Sequence, residues 1–264
     1  MNIPEPVVGR QINREAVVVL GWGRAVLMQL AHPLVAAGVG DYSQFRQGAG
    51  TFVRRARETI GAMLTITFGS PEEAQAAIDR INAIHDRVHG TLRESVGVYP
   101  AGTPYSARDP RLLVWVHATL IESMVLTYEV LVGPLTTEQK DRYAVEASFT
   151  TERLGVVRDR IPSTWAAVER YLADEYASGR IAVGAYAREL ANALLSPSIG
   201  PAAPAFRVTR LITIGLLPPH IRDGYGFEWD ERRERRFTRV LGTIRRVREN
   251  LPALLREWPA ARVH

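Results

Sequence analysis

What most constrains this chain is its punctuation: helix starts and stops are spelled out in side chains, and strand signals are missing. In "GSPEEA", Ser70 is an N-cap, Pro71 takes the first helical position and Glu73 closes a capping box. The hydroxyl accepts an orphan backbone N–H while the glutamate reaches back to the cap's own N–H. The segment that follows is expected to run to Gly90, which suits a left-handed C-cap. Asp109 and Pro110 repeat the signature, and Gly133 closes a long, mostly apolar helix. Thr136 with Gln139 opens another helix, and Ser163 opens one that stops at Gly179. Helical patterns also cover about 15–37, 50–68, 184–195, 202–216 and 229–250. No alternating run of β-branched residues lies between hairpin turns, so a sheet is not expected. The expectation is all-α: one multi-helix domain over residues 1–264, its helices packed around a shared interior.

A chain of 264 residues is long enough to bury a sizeable core. It has no cysteine, which excludes disulfides, thiolate-held zinc or haem, cysteine-bound iron–sulfur clusters and covalent C-x-x-C-H haem attachment. Any metal must be held by His, carboxylate, Tyr, Met or Lys. The N-terminal stretch lacks the basic start and short apolar core of a secretory signal. The most apolar stretch, 16–39, contains Arg24, Gln29, His32 and Pro33, so it reads as a buried helix and not as a membrane span. A cytoplasmic protein is the expectation. Net charge is +5, with the basic residues concentrated in "DERRERRFTRVLGTIRRVREN". Asp230, Glu231, Glu234 and Glu249 interleave with those arginines. That pattern predicts a solvated outer helix and no nucleic-acid partner.

The stretch "AAIDRINAIHDRVHGTL" sets His85 and His89 four residues apart. Ala74, Ala77, Ile78, Ile81, Ile84, His85 and Val88 follow the spacing of one buried helical face. His85 lies inside this stripe, and His89 falls about 80° from Ile81, at its edge. Three readings stay open on spacing alone. His85 is a hydrogen-bonded core residue, or part of an H-x-x-x-H zinc pair with Asp86 where the metalloprotease pattern has glutamate, or the proximal ligand of a non-covalent haem in an apolar cavity. A ferritin-like di-iron site is excluded, because none of the six histidines follows a glutamate by three residues. Two imidazoles from adjacent turns of one helix cannot reach opposite faces of one iron, so at most one of the pair is axial.

Four stretches in order, "LMQLAHPLVAAGVGDYSQF", "RARETIGAMLTITFGSPEEAQAAIDRINAIHDRVHG", "YSARDPRLLVWVHATLIESMVLTYE" and "LLPPHIRDGYGFEW", carry a family resemblance. Together they resemble the catalytic domain shared by latex clearing proteins (rubber oxygenases) and MpaB-type oxygenases, from about Arg14 to Trp229. The resemblance implies an all-α, globin-like helical core around a haem b pocket, and O₂-dependent cleavage of a carbon–carbon double bond in an isoprenoid chain. It puts the proximal, metal-binding histidine on His85. The family's Arg and Thr fall on Arg55 and Thr59, which share one helical face and so can point at one cavity. The resemblance implies catalytic and cofactor-binding roles for both, Arg55 as a propionate or cavity-polar contact supported by Thr59. A recurrent family histidine falls on His117. Trp115 and Leu120 flank it on an apolar helix, so it reads as a core or supporting residue of the cofactor site ahead of a ligand. His32 either faces the cavity or packs before Pro33.

Two features depart from the rubber-cleaving branch. Glu58 stands where that branch has a lysine directly before the threonine, so its distal chemistry does not carry over. No export signal is evident, so extracellular rubber is not the expected substrate. The resemblance therefore implies a haem b-dependent oxygenase that cleaves or oxidises a C=C bond of a small apolar, isoprenoid-like substrate with O₂. The alternative is a non-catalytic helical carrier or sensor of haem or an apolar ligand.

Overall fold

Local capping rules decide most element starts. The computed structural model describes residues 6–42, 49–195 and 203–262, with all their side chains except those of 42, 49–57 and 203–205. Helix α1 (Val7–Asn13) leads into a 3-10 turn (Ala16–Gly21), then α2 (Trp22–Leu30), α3 (Pro33–Tyr42), α4 (Ala49–Phe68) and α5 (Pro71–His85). Two short strands, β1 (His89–Thr91) and β2 (Pro104–Ser106), precede α6 (Pro110–Leu131), α7 (Thr137–Arg153), α8 (Trp165–Ala177) and α9 (Ala185–Leu195). The chain continues through α10 (Ala203–Gly215), α11 (Pro219–Gly224), α12 (Glu231–Asn250) and α13 (Ala253–Arg256). The fold is all-α, as the punctuation predicts.

Ser70 and Thr136 each form the reciprocal capping box, and Asp109 accepts from the Arg111 N–H to start α6. Gly179, after α8, takes φ +72°, the left-handed turn only glycine adopts freely. Three expectations are corrected. Thr164, not Ser163, caps α8. Helix α5 ends at His85, not Gly90, and Gly90 sits in β1 opposite Tyr105. A β-carbon there would stand 2.6 Å from the Tyr105 hydroxyl, so close approach and not a left-handed turn requires the glycine. The sheet is real but minimal, three antiparallel residue pairs.

The apolar stretch before Val39 is also not one helix. It is broken after Leu30 and bent by 107°. Pro33 lacks the N–H a continuing helix needs, and His32 Nδ1 caps the new helix by accepting the Leu34 N–H at 3.2 Å.

Helix α6 is the axis of the molecule, packed by α2, the 3-10 turn, α7 and α8. Trp115, Ala118, Ile121, Met124 and Val125 are buried along it. By length and composition it could cross a membrane, and 67% of its most apolar window is buried inside the protein. Close approach on the α2 side depends on Gly21, where a β-carbon would collide with the Thr127 side chain and come within 3.1 Å of the Ser123 carbonyl. The polar groups of that face are all bonded. Thr119, Ser123 and Thr127 donate their hydroxyls to carbonyls four residues earlier, at 2.6–2.7 Å. Arg24, 2% exposed, meets both carboxylate oxygens of Glu122, the Ser123 hydroxyl at 2.6 Å and the Leu216 carbonyl at 2.7 Å. As predicted, α12 is an outer helix: it buries Phe237 and holds its charges in exposed pairs such as Arg245 with Glu249.

Candidate functional site

Beside α6 lies a cavity of about 650 Å³, within the size range of small-molecule sites. Six α6 residues form one wall: Leu112, Leu113, Val116, His117, Leu120 and Ile121. Their spacing is a single helical stripe, so one face of one helix supplies them all. Helix α5 supplies Ala74, Ile81, Ile84 and His85 opposite a floor of Leu34, Val35 and Val39 from α3. Met63, Ile66 and Thr67 of α4 and Ala147, Phe149 and Thr150 of α7 close the sides.

His85 is the last residue of α5 and lines this cavity. Its Nδ1 is buried and has no hydrogen-bond partner among the described residues. Burial lowers its pKa first, the Arg108 guanidinium lowers it further, and Asp86 partly opposes both. The ring is therefore neutral near pH 7, so one of its two nitrogens carries a lone pair. Arg108 also fixes the helix end. It donates to the Asn82 side chain and carbonyl, stands 2.7 Å from the Asp86 carboxylate and reaches the Leu154 carbonyl at 3.3 Å. Sequence reasoning missed this residue. Its signal was only its place in the loop just before the Asp109 cap.

His117 lies midway along the apolar α6 wall, 6% exposed. Its Nε2 is buried and likewise lacks a partner among the described residues. Burial, aided by Arg158, holds its pKa down at about 4. Among the predicted site residues, then, the cavity brings together His85 and His117. Thr59 is exposed on α4, one turn before the lining residue Met63. Arg55 is on the same helix, its side chain outside the described set. His89 is exposed on β1 and not on α5. His32 stands at the α2–α3 bend with both ring nitrogens engaged, Nδ1 by the Leu34 N–H and Nε2 by the Tyr99 hydroxyl at 3.2 Å.

One end of the cavity is polar, a feature the sequence reading did not foresee. Arg10 and Asn13 of α1 meet Thr67, Tyr143 and Glu146 there. Glu146 accepts the N–H of Val8 at 3.3 Å and of Gly9 at 2.7 Å, pinning the start of α1. Burial pushes the Tyr143 phenol well above its usual range, with a hydrogen bond to Asn13 acting against that. No group of three or more His, Asp or Glu side chains able to hold a bare metal ion occurs among the described residues.

The neutral imidazole of His85, its Nδ1 without a partner among the described residues, lines a large apolar cavity and fits the demands of haem, which takes one axial nitrogen and needs no cage of three protein ligands. Comparison with known proteins points to an oxygenase catalytic domain. The family profile described as "ER-bound oxygenase mpaB/B'/Rubber oxygenase, catalytic domain" matches residues 9–246. The uncharacterized proteins Mb2261 of Mycobacterium bovis and Rv2237 of Mycobacterium tuberculosis are each 27% identical over 234 residues, covering 86% of this chain and 87% of theirs. No solved structure matches the chain with significance.

Proposed function

The chain belongs to the mpaB/rubber-oxygenase catalytic-domain family, and on that premise we propose that it is a haem b-dependent oxygenase acting on a small apolar, isoprenoid-like substrate. The observation that carries this reading is the unpartnered Nδ1 edge of His85 at the wall of an apolar cavity of about 650 Å³. When bound, haem supplies the O₂ and redox chemistry that no side chain of this chain can provide.

The protein's own part is positioning. His85 offers a neutral imidazole, kept neutral by burial and by the Arg108 guanidinium. Arg108 in turn ties the last turn of α5 to the α7 end, so the imidazole is held on a clamped helix terminus. The stripe Leu113, Val116, Leu120 and Ile121 supplies a dry wall that excludes water and orients an alkene. The family resemblance gives Arg55 on α4 a polar contact to the bound group, Thr59 is exposed outside the cavity lining, and Glu58 leaves the lysine chemistry of the rubber-cleaving branch without a counterpart.

The test is to purify wild type, His85→Ala and His89→Ala with equal haem supply and compare Soret absorbance per protein. Wild type and His89→Ala should carry haem, and His85→Ala should lose most of it. Full retention by His85→Ala would sink the assignment. Conversion of an alkene into two carbonyl products, dependent on O₂, then separates an enzyme from a carrier.

A further inference from the structure

By sequence, His117 has only a supporting place at the cofactor site, yet it is the more deeply buried of the two cavity histidines. Its neighbours on the wall are Leu113, Val116, Leu120 and Ile121, and none of these side chains can hydrogen-bond an imidazole. A buried nitrogen left unpaired costs about as much as a lost hydrogen bond. A wall that needed only to be apolar would be better served by leucine at this position. The atom therefore has a use in the occupied cavity.

We propose that His117 Nε2 is the polar anchor of the substrate, selecting a hydrophobic alcohol: an apolar skeleton that carries one neutral hydroxyl. The choice of hydroxyl follows from the chemistry of the wall. The imidazole stays neutral far below pH 7, so it offers no counter-charge, and burying a carboxylate or ammonium against leucines would be strongly unfavourable. Nε2 either donates or accepts, according to the ring's tautomer, and a hydroxyl can answer both, whereas a carbonyl or ether only accepts. The remainder of the wall matches the hydrocarbon part. Sites built to bond a hydroxyl reject analogues lacking it far more strongly than apolar pockets reject an extra methylene.

This inference rests on the oxygenase reading only for what happens to the ligand, since binding can be measured without turnover. The probes are farnesol, the hydrocarbon farnesene and farnesoic acid, each competing with an apolar fluorescent dye for the full-length protein as purified. Wild type should bind the alcohol roughly 10- to 100-fold more tightly than the hydrocarbon, the range expected from leaving one buried group unpaired, with the acid weakest at pH 7. In His117→Phe that ratio should fall to near one through loss of alcohol affinity, with the hydrocarbon bound as well as before. His117→Gln, which keeps a hydrogen-bonding group, should retain part of the preference. Thermal melts of each variant separate misfolding from lost recognition.

An alcohol-to-hydrocarbon ratio near one in wild type, or an unchanged ratio in folded His117→Phe, overturns the proposal. So does a haem-loaded His117→Phe that changes its ferric spectrum from low to high spin with the preference intact, for then the partner of Nε2 is iron. A preparation without a Soret band that still prefers the alcohol would refute the haem reading alone.

Discussion

On the face of α6 that meets α2, Thr119, Ser123 and Thr127 bond backbone carbonyls, and Glu122 and Ser123 hold the buried Arg24. On the face that meets the cavity, His117 has no partner among the described residues. His32 and His117 condense the contrast. Burial holds both at about 4, yet His32 has both nitrogens engaged while His117 leaves Nε2 unpaired. Depressed basicity therefore records burial first, with a nearby arginine adding to it in each case. The partner census, not the proton affinity, distinguishes a histidine that holds the fold together from one that awaits a ligand.

The largest effect should come from breaking the satisfied face. Glu122→Ala leaves the Arg24 guanidinium buried without its carboxylate, and urea denaturation should show a loss of about 3–5 kcal/mol. The pair Arg24→Met with Glu122→Leu should recover most of it. A loss below about 1 kcal/mol for the single change would mean that this face tolerates unpaired charge as readily as the cavity side.

Acidification probes both histidines at once. Each binds its proton less readily in the folded chain than in the unfolded one, so the unfolded state takes up protons as the pH falls from 6.5 towards about 4. Stability is fully present above that window and is lost across it, by up to roughly 1.4 kcal/mol per pH unit for each group. His117→Leu should remove one group's share of the slope, read from urea midpoints at several pH values. A slope identical to wild type would show that His117 is not buried and neutral.

The smallest effect is the most discriminating. His32→Leu strands the buried Leu34 N–H and should cost about 1–3 kcal/mol. The same substitution at His117 should be neutral or raise stability by up to about 1 kcal/mol, because it deletes an unpaired group from an apolar wall. Equal losses at the two sites would erase the distinction.

What could be read from the sequence was local. Ser70 with Glu73 and Thr136 with Gln139 are decided within one helical turn, and the structure contains both boxes. The inward placement of His85 followed from the spacing of Ile78 and Ile81. What depends on distant partners was not legible. β1 and β2 are three residues each, too short to show alternation, and they find each other across the intervening loop. The bend at His32 has a visible proline, but its 107° angle is set by packing. The unsatisfied state of His117 was invisible too, because a pattern of apolar neighbours cannot say whether they enclose space or one another. Arg108 and Glu146 act across 46 and 137 residues, beyond any periodicity.

The tether between Glu146 and the start of α1 also sets an order in time. Gly9 forms part of the cavity wall, but the carboxylate that fastens it is 137 residues further along the chain. At ordinary rates of synthesis that separation is on the order of ten seconds. During this interval α1, seven residues long, is too short to persist alone as a helix. The wall that α1 contributes is thus fastened only after α7 has emerged, and until then the cavity is incomplete.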